Sequence, residues 1–297
     1  MDQKPIKIDA YLVHRLIASQ FPEWKDLPID PVALSGWDNR TFHLGKEMLI
    51  RMPSGEEYAL QVEKEQKWLP KLAPHLPLQI PVPLAIGQPD YGYPWKWSIY
   101  RWLEGKSADA EPIADLCTLA SDLARFLIAF HQIDSTDGPL PGLHSFYRGG
   151  SLSTYDADTR LAITLLKDKI NAPLATKVWE TALATTWNKP PVWVHGDISA
   201  GNLLIQKTKL SAVIDFGQLA IGDPACDLAI AWTLFKEDSR KIFRQMLPLD
   251  TGTWARGRAW TLWKALIVAA GMTNPNNAES KQCWRIIDEV LAEHRNS

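Results

Sequence analysis

The chain has 297 residues, a formal net charge of −2 and 46% apolar residues, enough for one large domain or two packed lobes. Lysine and arginine are scattered along it, which excludes the basic stripe that nucleic-acid binding requires. No apolar run approaches the roughly 20 residues needed to cross a bilayer, and the charged, interrupted N-terminus does not resemble a secretory signal. We therefore expect a cytoplasmic globular protein that binds neither nucleic acid nor membrane.

The first hundred residues are predicted to be β-rich, with two helices. An amphipathic helix over residues 10–19 is followed by strands within residues 32–45 and 47–53, where apolar and β-branched residues alternate between Gly and Asn turn signals. Leu60, Trp68, Leu69 and Leu72 have near-helical spacing and predict a helix over residues 56–72, which ends before Pro74. Two more strands are expected within residues 81–105, on either side of the turn Gly-Gln-Pro-Asp.

Beyond a boundary near residue 103 the chain is predicted to be mostly helical. Apolar residues recur with the i, i+3, i+4, i+7 period from Leu116 to Phe130, again over residues 260–267, and again from Cys283 to Leu291. This change of pattern predicts an α+β fold with an N-lobe over residues 1–103 and a C-lobe over residues 104–297.

Polar residues that bear chemistry follow two short strands of the second lobe. In "VHGDISAGN" the apolar run ends at Val194 and leads into His195-Gly196-Asp197, and Asn202 opens the next run. In "VIDFG" a partner strand leads into Asp215. We expect the two strand ends to bring Asp197, Asn202 and Asp215 together, on a rigid base that exposes polar side chains.

Two carboxylates and a carboxamide form a hard oxygen site. Such a site suits Mg²⁺, which takes one or two carboxylates and completes its shell with water and phosphate oxygens. The spacing Asp-x-x-x-x-Asn followed by Asp-Phe-Gly is that of the kinase catalytic loop and metal-binding turn. The pattern therefore predicts phosphoryl transfer from a nucleotide, ATP or GTP, with Mg²⁺.

The segments "HGDISAGNLLI", "AVIDFG" and "GDPACDLA" resemble the aminoglycoside phosphotransferase (choline-kinase-like) family. The resemblance extends over most of the chain and implies a bilobal protein-kinase-like fold. It implies that Asp197 is the catalytic base, that His195 buttresses the catalytic loop, and that Asn202 and Asp215 hold Mg²⁺. It also implies that Asp227 hydrogen-bonds the catalytic loop.

The first lobe supplies candidate nucleotide-binding residues under the same resemblance. Gly36, in "LSGWDNRTFHLG", would belong to the loop that covers the phosphates, and Arg51 takes the place usually held by Lys. Glu65 is the expected partner of Arg51, with Glu63 kept as an alternative. The segment "IYRWLEG" would be the hinge that meets the adenine, and it carries Tyr100 and Trp102.

The acceptor is expected to be a small molecule. Only five residues separate Gly217 from the helix-opening Asp223-Pro224, which leaves no room for a peptide-docking loop and makes a peptide kinase the least favoured reading. An aminoglycoside-type or related antibiotic is favoured; a macrolide, a sugar, a choline-like amine and an amino alcohol remain alternatives, as does a non-catalytic pseudokinase. Carboxylates that could receive an aminocyclitol's ammonium groups are Asp156, Asp158, Glu237, Asp238, Asp288, Glu289 and Glu293. The sequence leaves the modified hydroxyl and the oligomeric state open.

Overall fold

A computed structural model describes residues 6–32, 38–110, 113–273 and 277–295. Its α-helices are α1 (Ala10–Gln20), α2 (Glu56–Leu72), α3 (Leu116–Gln132), α4 (Asp156–Leu165), α5 (Ala172–Leu183), α6 (Ile230–Thr233), α7 (Glu237–Met246), α8 (Thr251–Ala269) and α9 (Asn277–Arg295). Its strands are β1 (Ile29–Pro31), β2 (Asn39–Leu44), β3 (Met48–Pro53), β4 (Pro83–Gly87), β5 (Trp97–Arg101), β6 (Lys106–Ser107), β7 (Val192–Val194), β8 (Leu203–Gln206), β9 (Lys209–Val213) and β10 (Ala220–Gly222).

The first part of the chain forms an antiparallel five-stranded sheet in the order β1-β2-β3-β5-β4. Helix α1 begins after Asp9, whose carboxylate accepts a hydrogen bond from the Leu12 amide, and it buries its apolar face on the sheet. Trp97 is fully buried in this core, and Gly87 lies so close to the Trp97 ring that a Cβ would overlap it. Glycine is therefore required where β4 crosses the indole.

Helix α2 has the bounds that the sequence predicted, but not every apolar residue lies on the predicted buried face. Trp68, Leu69 and Leu72 are buried in the core of the helical part of the chain, whereas Leu60 is 54% exposed. Eight residues turn a helix by two full turns and about 80°, so Leu60 lies to one side of Trp68. The prediction that Leu60 shares this apolar face is wrong. Because α2 also packs on β3, β4 and β5, it links the sheet to the helical part.

The remaining chain is mainly helical, as predicted, and it encloses the larger core. Helices α3, α8 and α9 contribute many residues to this core, in which Trp179, Trp193 and Trp232 are almost fully buried. The structure therefore has the α+β architecture expected from the sequence. The predicted lobe boundary near residue 103 falls between β5 and β6 and stays a prediction, since α2 contributes to the core on the far side of it.

Two small sheets in the helical part hold the polar loops. Strand β7 pairs with β10, and the hairpin of β8 and β9 pairs with β6, all antiparallel. The loop over residues 195–202 thus connects two strands of different sheets, and the turn over residues 214–219 connects β9 to β10. Across the described ranges, no helix combines the length and apolarity of a membrane span.

Candidate functional site

The two polar segments meet where β7 and β9 end. The Ile214 amide donates a hydrogen bond to the Asn202 carbonyl over 2.9 Å, which places Asp215 next to Asn202. The Asn202 side-chain amide donates to the Asp197 carbonyl at 2.9 Å and to Asp197 Oδ2 at 3.0 Å. The three residues that the sequence grouped are therefore brought together in one cluster. The backbone of Asp215 has φ +66°, in the left-handed region.

Asp197 is a buried carboxylate of this cluster whose pKa is shifted toward neutrality. Burial raises the pKa of Asp197 to about 6, and the negative charge of Asp215 adds to the shift. The cation of Arg148 and the hydrogen bond from Asn202 act in the opposite direction. At pH 7 the ionised form still exceeds the protonated form by roughly ten to one. Asp197 is thus a proton acceptor poised near neutral pH, the property that a general base requires.

His195 lies beneath the loop. Its side chain is fully buried. Its Nδ1 accepts from the Asp197 amide at 3.1 Å, so Nε2 carries the proton and donates to the Ile214 carbonyl at 2.9 Å. Burial lowers the pKa of His195, which keeps the ring neutral. With both ring nitrogens hydrogen-bonded, His195 joins the loop to the turn that carries Asp215.

Asp227 fixes the loop from the other side. Its carboxylate is fully buried and accepts two backbone hydrogen bonds, from the His195 amide at 2.8 Å and from the Gly196 amide at 2.7 Å. This confirms the predicted contact of Asp227 with the loop. Gly196 has φ +86°, and a Cβ there would lie 2.8 Å from the Gln218 carbonyl oxygen, so only glycine fits.

Arg51 is surrounded by carboxylates. Its Nη2 lies 2.8 Å from Asp215 Oδ1 and 3.8 Å from Asp38 Oδ2, and its Nη1 lies 3.5 Å from Glu65 Oε1. Glu65 also accepts a hydrogen bond from the Tyr100 hydroxyl. Glu63 pairs instead with Lys96 at the surface, which decides the Glu63/Glu65 alternative in favour of Glu65.

The charges of this cluster suit a divalent cation. Burial raises the pKa of Asp38 and of Glu65, with the charge of Asp215 adding to both shifts. Burial also disfavours ionisation of Asp215, but the Arg51 guanidinium holds its pKa below the usual range. One guanidinium thus faces the carboxyl groups of Asp38, Glu65 and Asp215.

Asn202 and Asp215 offer the hard oxygen atoms that Mg²⁺ takes. The described residues contain no group of three or more His, Cys, Asp and Glu side chains arranged for a metal. A cation here would take few protein ligands and complete its shell with phosphate oxygens and water, which fits Mg²⁺ better than a metal held by protein alone.

The remaining candidate nucleotide-binding residues lie around this centre. Tyr100 is buried with its hydroxyl on Glu65, so its side chain supports the Arg51 partner. Trp102 follows β5; its amide donates to the Glu47 carbonyl at 2.7 Å, and its ring lies 4.4 Å from the His43 ring. Gly36 lies outside the described residues. Their predicted contacts with a nucleotide stay predictions.

Arg148 is a residue of the site that the sequence did not reveal. Its Nε donates to the Gly196 carbonyl at 3.1 Å, directly before Asp197. Its guanidinium lies 4.8 Å from the Trp260 ring centroid and 5.1 Å from that of Trp263, both buried on α8. Nothing in the segment around Arg148 indicates this contact, because α8 begins about a hundred residues later. The Arg148 guanidinium therefore lies near Asp197. Within the loop itself, the residue that follows His195 is Gly196.

Several acidic side chains considered for the acceptor already have cationic partners. Asp156 pairs with Arg160 at 2.9 Å, Glu293 with Arg258 at 2.7 Å, and Glu289 with Arg285 at 2.7 Å. The others are on the surface: Asp158, Glu237, Asp238 and Asp288 are exposed. If carboxylates receive the acceptor, this second set is the more available one.

Comparison with known proteins gives consistent matches. The model of the phosphotransferase enzyme family matches residues 31–260. An aminoglycoside 3′-phosphotransferase of Escherichia coli is 41% identical over 64 residues, which span 21% of this chain and 24% of that protein.

Solved structures of similar fold extend over nearly the whole chain. The GDP complex of wild-type aminoglycoside 2′-phosphotransferase-IIIa superposes with a TM-score of 0.70 at 18% identity, over 97% of this chain and 100% of that one. The macrolide 2′-phosphotransferase MphH from Brachybacterium faecium superposes with a TM-score of 0.61 at 18% identity, over 94% and 98%. At this identity, the superpositions establish the fold alone.

Proposed function

Because the chain belongs to the phosphotransferase enzyme family, we propose that it transfers the γ-phosphoryl group of ATP or GTP to a hydroxyl of a small molecule. One observation carries the proposal. The Asp197 carboxylate, with a pKa near neutrality, is hydrogen-bonded by Asn202 and stands beside Asp215, which is joined through Arg51 to Glu65. A base, two candidate metal ligands and a cation paired to a helix Glu are the parts that phosphoryl transfer requires.

In this reaction Asp197 orients the acceptor hydroxyl and takes its proton. The hydroxyl oxygen forms a bond to the γ-phosphorus as the bond from that phosphorus to the bridging oxygen breaks, and the nucleoside diphosphate leaves. His195 accepts a hydrogen bond from the Asp197 amide, and Asp227 holds the backbone of the two preceding residues, so that the carboxylate reaches the hydroxyl without first reorganising. His195 serves as a positioning residue.

The phosphates would be received by Arg51 and by a Mg²⁺ ion that Asn202 and Asp215 hold. When bound, this ion neutralises charge on the phosphate oxygens. Arg51 is paired with Asp215, so phosphate binding would share or replace that ion pair. A guanidinium can bind two phosphate oxygens at once, which suits Arg in the place usually held by Lys.

The acceptor is proposed to be an aminoglycoside-type or related antibiotic. The names of the matched proteins support this class, since they act on aminoglycosides and on macrolides. The short segment after Gly217 supports a small acceptor, because β10 pairs with β7 there and Asp223 caps the next helical turn at once. A sugar, a choline-like amine or an amino alcohol is the alternative acceptor.

A non-catalytic nucleotide-binding role is the second candidate. The observation that favours it is the direct ion pair between Arg51 and Asp215, which engages a candidate metal ligand. The two roles differ in turnover, since a regulatory protein binds nucleotide without consuming it.

The test is nucleotide consumption with Mg²⁺ and either ATP or GTP, across aminoglycosides, macrolides, sugars and amino alcohols, with acceptor-free reactions as controls. Phosphorus NMR of the product identifies the modified hydroxyl. We expect acceptor-dependent turnover with one class. Tight nucleotide binding without turnover on any acceptor would favour the regulatory role, and absence of nucleotide binding would refute both.

A further inference from the structure

Lys64 is a buried amine outside the set of residues that the reaction needs. It lies on α2, is 8% exposed, and its Nζ is directed at the C-lobe. Nζ donates to the Gly217 carbonyl at 2.8 Å and to the His144 carbonyl at 2.9 Å, and His144 Nδ1 lies 2.9 Å away. Three polar atoms thus satisfy the three donor positions of one ammonium group.

These contacts hold the turn Asp215–Gly217 at both ends. Asp215, at the start of the turn, pairs with Arg51, which pairs with Glu65 on α2. Lys64, the neighbour of Glu65 on the same helix, holds the carbonyl of Gly217 at the end of the turn. Helix α2 therefore holds both ends of the turn that carries Asp215, a candidate metal ligand.

Gln61, one turn before Lys64, adds to this contact. Gln61 is buried, and a Cβ on Gly217 would lie 2.5 Å from Gln61 Oε1, so the glycine allows the helix to approach closely. Residues at i and i+3 share one face of a helix. This face of α2 is thus built against the turn, and Lys64 is its only hydrogen-bonded cation among the described residues.

We propose that Lys64 is a positioning residue that fixes α2 and the turn Asp215–Gly217 in one relative arrangement, with Glu65, Arg51 and Asp215 in register for phosphoryl transfer. What it positions rests on the proposed function, whereas the fixation itself does not. A buried amine is costly unless its donors are all satisfied. Burial lowers the pKa of Lys64 to about 7, and the hydrogen bonds of Nζ offset part of the cost of burying the amine.

The fixation is tested on the nucleotide-free protein by hydrogen–deuterium exchange. Lys64→Met shortens the side chain by one atom and removes the donors, and Lys67→Met on the exposed side of the same helix is the matched control. We expect amides of residues 216–219 to exchange roughly tenfold faster in the Lys64 variant, as expected for losing a buried charge-assisted contact, and to be unchanged in the control. Lys64→Arg, which retains donors, restores slow exchange in part.

A purely structural role would give a different result. Lys64→Met would then lower the melting temperature while exchange in the turn rose only in proportion to global unfolding, and this outcome overturns the proposal. If Lys64→Met does not fold, Lys64→Gln is measured in its place, since its shorter amide reaches fewer of the three partners.

The effect of Lys64 on phosphoryl transfer is tested by measuring kcat and the KM for nucleotide. We expect Lys64→Met to weaken the apparent nucleotide affinity and kcat roughly tenfold each, with little change in the KM for acceptor. Equal kcat and equal KM for nucleotide in wild type and Lys64→Met would overturn the proposed effect of Lys64 on phosphoryl transfer. A wild type that binds no nucleotide refutes the proposed function, and the exchange result then still decides whether Lys64 fixes the turn.

Discussion

Replacement of Asp227 by Ala removes the acceptor of two buried amides at once. An amide left without a partner costs about 1–3 kcal/mol, so the His195 and Gly196 amides together account for about 2–6 kcal/mol. The carboxylate also carries a cost of its own, because burial raises the pKa of Asp227. The net loss therefore lies toward the lower end, about 2–3 kcal/mol.

Thermal unfolding measures this loss. For a chain of this size 1 kcal/mol corresponds to about 2 °C, so we expect the melting temperature of Asp227→Ala to fall by about 4–6 °C. Asp168→Ala, in an exposed turn between α4 and α5, is the matched control and should stay within about 1 °C.

The same variant tests the catalytic loop. Because the two amides belong to the two residues before Asp197, we expect kcat to fall at temperatures where the variant is fully folded, with nucleotide affinity largely kept. A melting temperature and a kcat both equal to wild type would refute the reasoning that Asp227 holds the loop.

Three further predictions concern stability and the loop. Arg256 donates to both carboxylate oxygens of the buried Asp223, at 2.6 and 3.2 Å, so Arg256→Met leaves a buried unpaired carboxylate and should cost about 3–5 kcal/mol in urea denaturation. Adding Asp223→Asn should recover part of that loss; no recovery would contradict the ion-pair account. Gly196→Ala forces a left-handed backbone and a contact with the Gln218 carbonyl, and should abolish turnover with a drop in melting temperature of a few degrees; a fully active variant would show that the loop tolerates a side chain. Burial lowers the pKa of His131 to about 4, so the unfolded chain binds more protons than the folded one between pH 6.5 and 4. The free energy of unfolding should therefore fall as the pH falls through this window, and His131→Phe should flatten the dependence; an identical slope in the variant would remove His131 as the cause.

The sequence predicts those features that depend on residues close together in the chain. Helix α2 lies between Gly55 and Ala73 and has its predicted bounds, and the strands around Asp197 and Asp215 follow from short apolar runs next to loops. Asp197 and Asn202 are five residues apart on one loop, so their contact follows from local spacing.

Contacts between distant segments could not be predicted. Lys64 and Arg148 have nothing in their own surroundings to distinguish them from exposed cations, and each gains its role from a partner 48–153 residues away in the chain. Asp38 becomes part of the site only because β2 and β3 place it near Arg51. The sequence favoured Glu65 as the partner of Arg51 and left Glu63 open for a related reason: residues two apart point to different faces of a helix, and only the packing of α2 decides that Glu65 meets Arg51.

The central claim is that Asp197 takes the proton of an acceptor hydroxyl in a site that binds nucleotide independently of it. The most direct measurement sets turnover beside nucleotide affinity in wild type and Asp197→Ala, using calorimetric titration with Mg²⁺ and the nucleotide that supports activity. We predict that Asp197→Ala loses transfer by a factor of at least about 10³ while its nucleotide Kd stays within about threefold of wild type. Turnover equal to wild type in that variant would contradict the claim.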